Sequence, residues 1–410
     1  MRIIVQKFGG TSLSSPERRE MSASRILAAI GEGYSPVVVV SAMGRAGDPY
    51  ATDTLLGIVR EISSEMDPRE TDLLVSCGEI ISSVVMAATL RDKGLAPRVL
   101  TGGQAGIITD GVYTDARIIR VEPSLILRWL RDGTTVIVAG FQGLAESGDV
   151  TTLGRGGSDI TATALGAALD AELVEIYTDV DGIKTADPRL VPDARTIEVL
   201  AYDEICQMAH EGAKVIHPRA VEIAMQRRVP LRIKCTFTET PGTLVTYSVE
   251  GTQAWPDARQ VMPVTGVTHI MGVAQVAMTG EAQEGAPGDL GFFRHLADAG
   301  ISVDMINVTG ALRAFIIRDD LAERAARVLK DQGYQAKIDR RLTKVSVVGY
   351  GMRGIPGVMA AVVEALGYAG VEILQTADSH VTISCLVREG DAEVAVQALH
   401  AKFGLGKREV

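Results

Sequence analysis

The sequence predicts an α/β protein in two parts. The first, residues 1–245, is a three-layer domain on a mainly parallel sheet; the second is a pair of small βαββαβ domains, 264–337 and 338–410. Three observations predict this. Short runs of Val, Ile and Leu alternate with helical patterns through the first half, a Gly-, Pro- and polar-rich segment at 246–263 interrupts them, and one pattern then occurs twice.

In chain order, Ile3–Val5, Val37–Ser41, Arg98–Leu100, Val136–Ala139 and Leu173–Thr178 are runs apolar on both faces. Such runs suit strands covered on both sides in a parallel sheet. Ser15 followed by Pro16 reads as an N-cap and first helical position, opening a helix through Ile30 with Gly31 and Gly33 near its end. The stretch 159–169 (DITATALGAAL) is a small-residue helix able to pack closely on a sheet. In this arrangement ligands bind beyond the carboxyl ends of the strands. Past the linker, PGDLGFFRHLADAGISVDMI and PGVMAAVVEALGYAGVEILQ share Pro-Gly, a helix, then Ala-Gly before a strand. That internal repeat predicts two copies of one small domain, packed on each other or on a second chain.

Composition excludes several classes. With 410 residues, two or three domains are expected, and 46% hydrophobic against 22% charged residues is ordinary for a folded protein. The net charge of −10, without a basic block, argues against nucleic acid or an anionic membrane as partner. No uninterrupted apolar run approaches the ~18 residues of a membrane helix. The four cysteines are scattered with no CxxC, and the histidines do not cluster, so no metal site is expected and a reducing cytoplasm fits. His210 and His217 are seven residues apart with no third ligand in sequence.

Two glycine-rich turns carry the chemistry. In KFGGTS, Lys7, Gly9, Gly10, Thr11 and Ser12 sit where a strand ends and a helix begins, a place where glycines let a phosphate approach backbone N–H groups. The lysine precedes the glycines, so this is not the G-x-x-x-x-G-K-[ST] loop, and a structural turn fits the bare pattern equally well. The second turn, GRGGSD, holds Arg155, Gly156, Ser158 and Asp159; the arginine can grip a carboxylate with two prongs, and the aspartate reads either as a helix cap or as a catalytic group. Together the turns suggest a site for two anionic groups. The run YTDVDGIKTADPR then leads from a strand into a polar loop, which is either a solvated turn or part of a nucleotide site.

KFGGTS, VVVVSAMG, SCGEIISS, AGFQG, GRGGSD, TDVDGIKTADPR and EGAKVIHPRA occur here in the order seen in aspartate kinases, of the amino-acid kinase fold family. The C-terminal repeat resembles the paired ACT regulatory domains of those enzymes, and the resemblance covers nearly the whole chain. VSAMGRAGDPYATDTLLG and QTADSH look most like the diaminopimelate-sensitive type of endospore-forming bacteria.

The resemblance implies ATP-dependent phosphorylation of the L-aspartate β-carboxylate, with Mg²⁺ on the nucleotide. By position, Lys7 and Asp159 match catalytic residues, while Ser41, Thr52, Glu79, Arg155, Gly156 and Ser158 match the aspartate pocket. Glu79 would hold the substrate ammonium and Arg155 its α-carboxylate. Lys7, Gly9, Gly10, Thr11, Thr178, Asp179, Lys184, Arg189 and Lys214 fall on the ATP side; Lys184 stands where many relatives carry tyrosine. Asp289, Asp304 and Asn307 are the effector candidates, for diaminopimelate first and lysine second. The resemblance further implies a cytoplasmic homo-oligomer formed through the ACT domains, and a shorter regulatory subunit from an internal start such as Met262. Two alternatives stand beside this: another kinase of the same fold, and a non-catalytic amino-acid sensor.

Overall fold

The computed structural model describes residues 1–63, 65–213, 215–247, 264–279, 291–309, 312–350, 352 and 355–406. They form two compact units: one from 1–183, 196–209 and 215–247, the other from 184–195, 210–213 and the described residues from 264 onward. Most of the expected linker, from 248 to 263, lies outside the described residues.

The first unit contains twelve strands: β1 (Arg2–Phe8), β2 (Tyr34–Val40), β3 (Arg98–Leu100), β4 (Ile107–Thr109), β5 (Ile118–Val121), β6 (Val136–Ala139), β7 (Gln142–Ala145), β8 (Val150–Thr152), β9 (Leu173–Thr178), β10 (Val199–Ala201), β11 (Leu231–Cys235) and β12 (Thr243–Thr246). Its helices are α1 (Gly10–Leu13), α2 (Pro16–Gly31), α3 (Thr52–Arg60), α4 (Pro68–Asp92), α5 (Ser124–Arg131), α6 (Gly157–Ala168), α7 (Tyr202–His210, whose last residue clusters with the second unit) and α8 (Pro218–Arg227). The main sheet runs β10-β12-β11-β9-β1-β2-β6-β3, parallel throughout except between β11 and β12.

Val37, Val38, Val39 and Val40 are all fully buried, so both faces of β2 are covered, as its unbroken apolar run requires. On one face α2 and α4 bring Ile26, Met86 and Leu90 against Phe8, Val38 and Ile137. α6 packs on β1, β9 and α8. Ser15 caps α2 as expected, accepting from the Arg18 N–H at 3.3 Å. A second sheet, β5-β4-β7-β8, lies outside the strands expected from the sequence; its strands have three or four residues each.

The 25-residue α4 departs from expectation: by length and composition it could cross a membrane. Polar residues break its sequence, so no uninterrupted apolar run marks it. Those residues are on its buried side, which holds Asp72, Ser76, Glu79, Ser82 and Ser83. Asp72 is tied down by the Thr114 and Thr152 N–H groups and the Thr152 hydroxyl, at 2.6–2.9 Å. Half of the apolar window is buried inside the unit, which makes α4 a core helix here.

The second unit has one six-stranded sheet, built from β13 (Gly266–Thr279), β14 (Asp304–Val308), β15 (Leu312–Arg318), β16 (Lys337–Val348), β17 (Gln375–Asp378) and β18 (Thr382–Arg388). The order is β14-β15-β13-β16-β18-β17. Its helices are α9 (Phe292–Asp298), α10 (Ala322–Asp331), α11 (Val358–Tyr368) and α12 (Ala392–Lys402). The repeat is visible in two cores: Phe292, Leu296 and Phe315 belong to one, Val362, Leu366, Val396 and Leu399 to the other. The strand pairing also crosses the midpoint of the repeat. Residues 266–271 of β13 pair with 343–348 of β16, whereas 273–279 pair with β15 and with the first half of β16. The first half of β13 thus supplies the outer strand of the second copy, which interleaves the two copies in one sheet.

Candidate active site

The parallel strands β9, β1, β2 and β6 lie side by side and end together; KFGGTS starts at the end of β1, whereas GRGGSD follows β8 of the second sheet. Lys7 is the next-to-last residue of β1, opposite Val39 and Ile176. Phe8 beyond it points into the core and stacks on Tyr177, with ring centroids 4.8 Å apart. Alternation along the strand therefore turns the Lys7 side chain away from that core. Its ammonium meets Asp159 Oδ1 at 2.7 Å, with 12% of each side chain exposed. The ion pair joins KFGGTS to GRGGSD.

The sequence left Asp159 open between a helix cap and a catalytic role. The N-cap of α6 is Gly156, without a side-chain cap, and Asp159 lies in the first turn beyond it. Its carboxylate is spent on Lys7, and the helix start favours a negative charge at this position. Ser158 is buried beside it. Arg155 is exposed on the turn and makes no hydrogen bond or ion pair with a described residue.

The glycines matter for two specific reasons. A Cβ on Gly10 would come within 2.6 Å of the carbonyl oxygens of Ala42 and Gly44, so α1 can press against the segment after β2 only with glycine there. Gly156 adopts a left-handed φ of +70°, and a Cβ on it would lie 2.3 Å from that of His217. The Gly9 N–H reaches Tyr177 O at 3.3 Å, and Gly10 and Thr11 begin α1.

Ser41 follows β2, and its N–H donates to Phe8 O at 3.1 Å. The next N–H, that of Ala42, donates to Glu79 Oε1 at 2.9 Å. Glu79 comes from the middle of α4 and is 2% exposed, and its Oε2 has no hydrogen-bond partner. Burial pushes its carboxyl up to about 8, against the opposing Ala42 N–H. A buried carboxyl with one idle oxygen suits a cationic ligand group. Thr52 opens α3, which packs on α4. Thr178 ends β9, and Asp179 after it is held by Arg45 at 2.5 Å.

Lys184 and Arg189 belong to the 184–195 segment of the second unit, and Arg189 grips Asp187 at 2.6 Å. Lys214 and Asp289 lie outside the described residues. Asp304 begins β14 and pairs with Lys344 at 2.6 Å, while Asn307 is exposed further along that strand. Among the described residues no group of three or more His, Cys, Asp or Glu could hold a metal.

Three further residues stand at the site. Arg45 holds Asp179, and His217 fills the space over Gly156, its Nδ1 buried without a partner and its pKa lowered chiefly by burial. Phe141, at φ +68°, packs where a Cβ on Gly157 would stand. His217 and Phe141 lie inside the motifs EGAKVIHPRA and AGFQG, which was the available signal.

Two glycine-rich turns joined by the Lys7–Asp159 ion pair define a member of the amino acid kinase family, whose sequence pattern matches residues 2–235; that of the ACT domain matches 337–401. Aspartokinase 1 of Bacillus subtilis (strain 168) is 48% identical over 408 residues, covering 99% of this chain and all of that one. The aspartokinase of Geobacillus stearothermophilus is 42% identical over 413 residues, covering 99% of this chain and 98% of that one. The chain belongs to the aspartokinases. The solved structure of Escherichia coli aspartokinase III in complex with lysine and aspartate is 26% identical at a TM-score of 0.76, covering 98% of this chain and 99% of that one. The same enzyme with aspartate and ADP, at 24% identity and a TM-score of 0.77, has the same fold, with coverage of 98% and 100%.

Proposed function

We propose that this chain transfers the γ-phosphoryl group of ATP to the β-carboxylate of L-aspartate and that an amino acid bound to the ACT unit turns the reaction down. The observation that carries the reading is the Lys7–Asp159 ion pair, which brings both glycine-rich turns to one point. A β-carboxylate oxygen attacks the γ-phosphorus, the new O–P bond forms, and the bond to the bridging oxygen breaks with its electron pair leaving on ADP. The attacking carboxylate is already ionised at neutral pH, so no strong base is needed. Catalysis is then positioning and charge neutralisation.

Lys7 neutralises charge between the two reactants, and Asp159 holds the ammonium in place. Arg155 takes the α-carboxylate in two-pronged fashion. Glu79 receives the substrate ammonium on its idle oxygen. Mg²⁺ carried on the nucleotide would screen its phosphates. Thr178, Asp179, Lys184, Arg189 and Lys214 remain the candidates for the nucleotide. The enzyme works in the cytoplasm as a homo-oligomer through its ACT domains, and diaminopimelate or lysine is its effector.

The test is ATP-dependent formation of aspartyl phosphate, trapped as the hydroxamate, run beside glutamate and acetylglutamate. Product from aspartate alone supports the reading. Product from another carboxylate in its place supports a different kinase of the same fold, and binding of an amino acid without turnover supports a sensor.

A further inference from the structure

In the second unit a lysine is buried where the two copies of the repeat meet. Lys344 of β16 is 5% exposed, and its ammonium reaches both oxygens of Glu211, at 2.9 and 2.8 Å, and Asp304 Oδ2 at 2.6 Å. Glu211 is itself buried, and it also accepts from the Ser346 hydroxyl at 2.7 Å, which lies 2.8 Å from that of Ser384. Asp304, by contrast, is 58% exposed. The lysine thus bridges one buried and one open carboxylate. Burial works against its charge, but Glu211 and Asp304 outweigh it and keep its pKa above the ordinary value.

The backbone beside Asp304 is unusual. Met305 has a left-handed φ of +47°, uncommon for a side chain of that size, and the pairing of β14 with β15 slips between Asp304 and Asn307. The Met305 N–H donates to Asp304 Oδ1 at 2.6 Å, and its carbonyl accepts from Gln375 Nε2 of β17. Gln375 is in turn held by Gln275 of β13 at 2.8 Å. The strained strand edge is therefore fixed from both copies of the repeat, and such strain collects at ligand clamps and switches.

We propose that the Lys344 ammonium is an internal competitor for the effector: it occupies Asp304 in the effector-free protein, and the ammonium of an amino-acid effector displaces it. On displacement Lys344 keeps its two contacts to Glu211, so no buried carboxylate is left bare. Glu211 stands on the short segment 210–213, and the chain on both sides of that segment runs into the kinase unit. Release of Lys344 from Asp304 changes the charge facing that segment, which gives the effector a route to catalysis. This proposal rests on the reading that an amino acid regulates the enzyme.

Two variants of the full-length chain test it, with meso-diaminopimelate and L-lysine as separate probes. Binding is followed by calorimetry and activity by the hydroxamate assay. Lys344→Met should bind the effector about five- to tenfold more tightly, the scale of a removed ionic competitor, while its maximal inhibition falls. Asp304→Asn, at a half-exposed position that tolerates the change, should lose effector binding and show depressed activity with no effector present, because its lysine is already released. Unchanged affinity in a folded Lys344→Met, or full basal activity in Asp304→Asn, overturns the proposal and leaves Asp304 as an ordinary contact. If the unaltered chain binds neither amino acid at about 10 mM, weaker than any working effector, the regulatory reading itself fails and the proposal falls with it.

Discussion

Lys7 and Asp159 meet at 2.7 Å with little of either side chain exposed, so removing one leaves the other charge poorly solvated. Lys7→Ala should lower kcat by at least ~10²-fold, the effect of losing one contact to developing negative charge, and single-turnover kinetics will measure it. Unchanged turnover would remove Lys7 from the site. Glu79 gives a prediction of a different kind. Burial raises its carboxyl from 4.5 to about 8, so the folded protein holds a proton there that the unfolded chain loses above about pH 4.5. The associated stability is fully present below that pH, is lost at roughly 1.4 kcal/mol per pH unit up to the folded value, and levels off beyond it. Glu79→Gln should flatten this slope in chemical denaturation. An arriving substrate ammonium favours the ionised carboxylate, so aspartate binding near pH 7 should release a proton. Calorimetry in phosphate and in Tris will then give different apparent enthalpies; equal enthalpies would mean that Glu79 does not meet the ammonium.

Among the elements, α6 shows how local geometry serves the site. Its N-cap is a left-handed glycine against which His217 packs, and Asp159 follows in the first turn. Gly156→Ala should cost ~1–3 kcal/mol through strained backbone and displace Asp159. A fall in thermal stability together with a drop in kcat would be the result, and normal kinetics in a stable protein would rule out this positioning. Some elements were legible in the sequence. The strands at 98–100, 136–139 and 173–178 fall where their apolar runs predicted, and Ser15 caps α2. Strands such as 118–121 and 150–152 were not, since IIRV and VTT carry a charged or hydroxyl side chain where a run apolar on both faces is expected. The site divides in the same way. Lys7 and Asp159 carry their chemistry in glycine-rich motifs, whereas the Arg45–Asp179 contact depends on a fold that joins distant segments.

In the molecule as a whole, the repeat does not give two separable halves. β13 and β16 run through both copies, and Leu342 and Leu386 are fully buried between them with Val273, Met305 and Ile316. Leu342→Ala should cost ~2–5 kcal/mol by opening a cavity in this shared core. Hydrogen exchange should show β15 and β18 losing protection together. If β18 opened while β15 stayed protected, the halves would be independent. The repeat itself was legible from the paired Pro-Gly and Ala-Gly signals, but the exchange of half-strands was not, because each half of β13 carries the same period and only the register assigns it to a partner.

The discontinuous second unit also bears on how the chain is made. Segments 184–195 and 210–213 leave the ribosome with the kinase unit, but the sheet they join is still unsynthesised. Glu211 and Lys344 are 133 residues apart. At about 5–20 residues per second, the carboxylate waits roughly 7–27 s for its lysine. During that interval the nascent kinase unit carries an acidic residue that has no place in its own core. Completion of the regulatory sheet is therefore a late step in biosynthesis, and it is this step that buries Glu211.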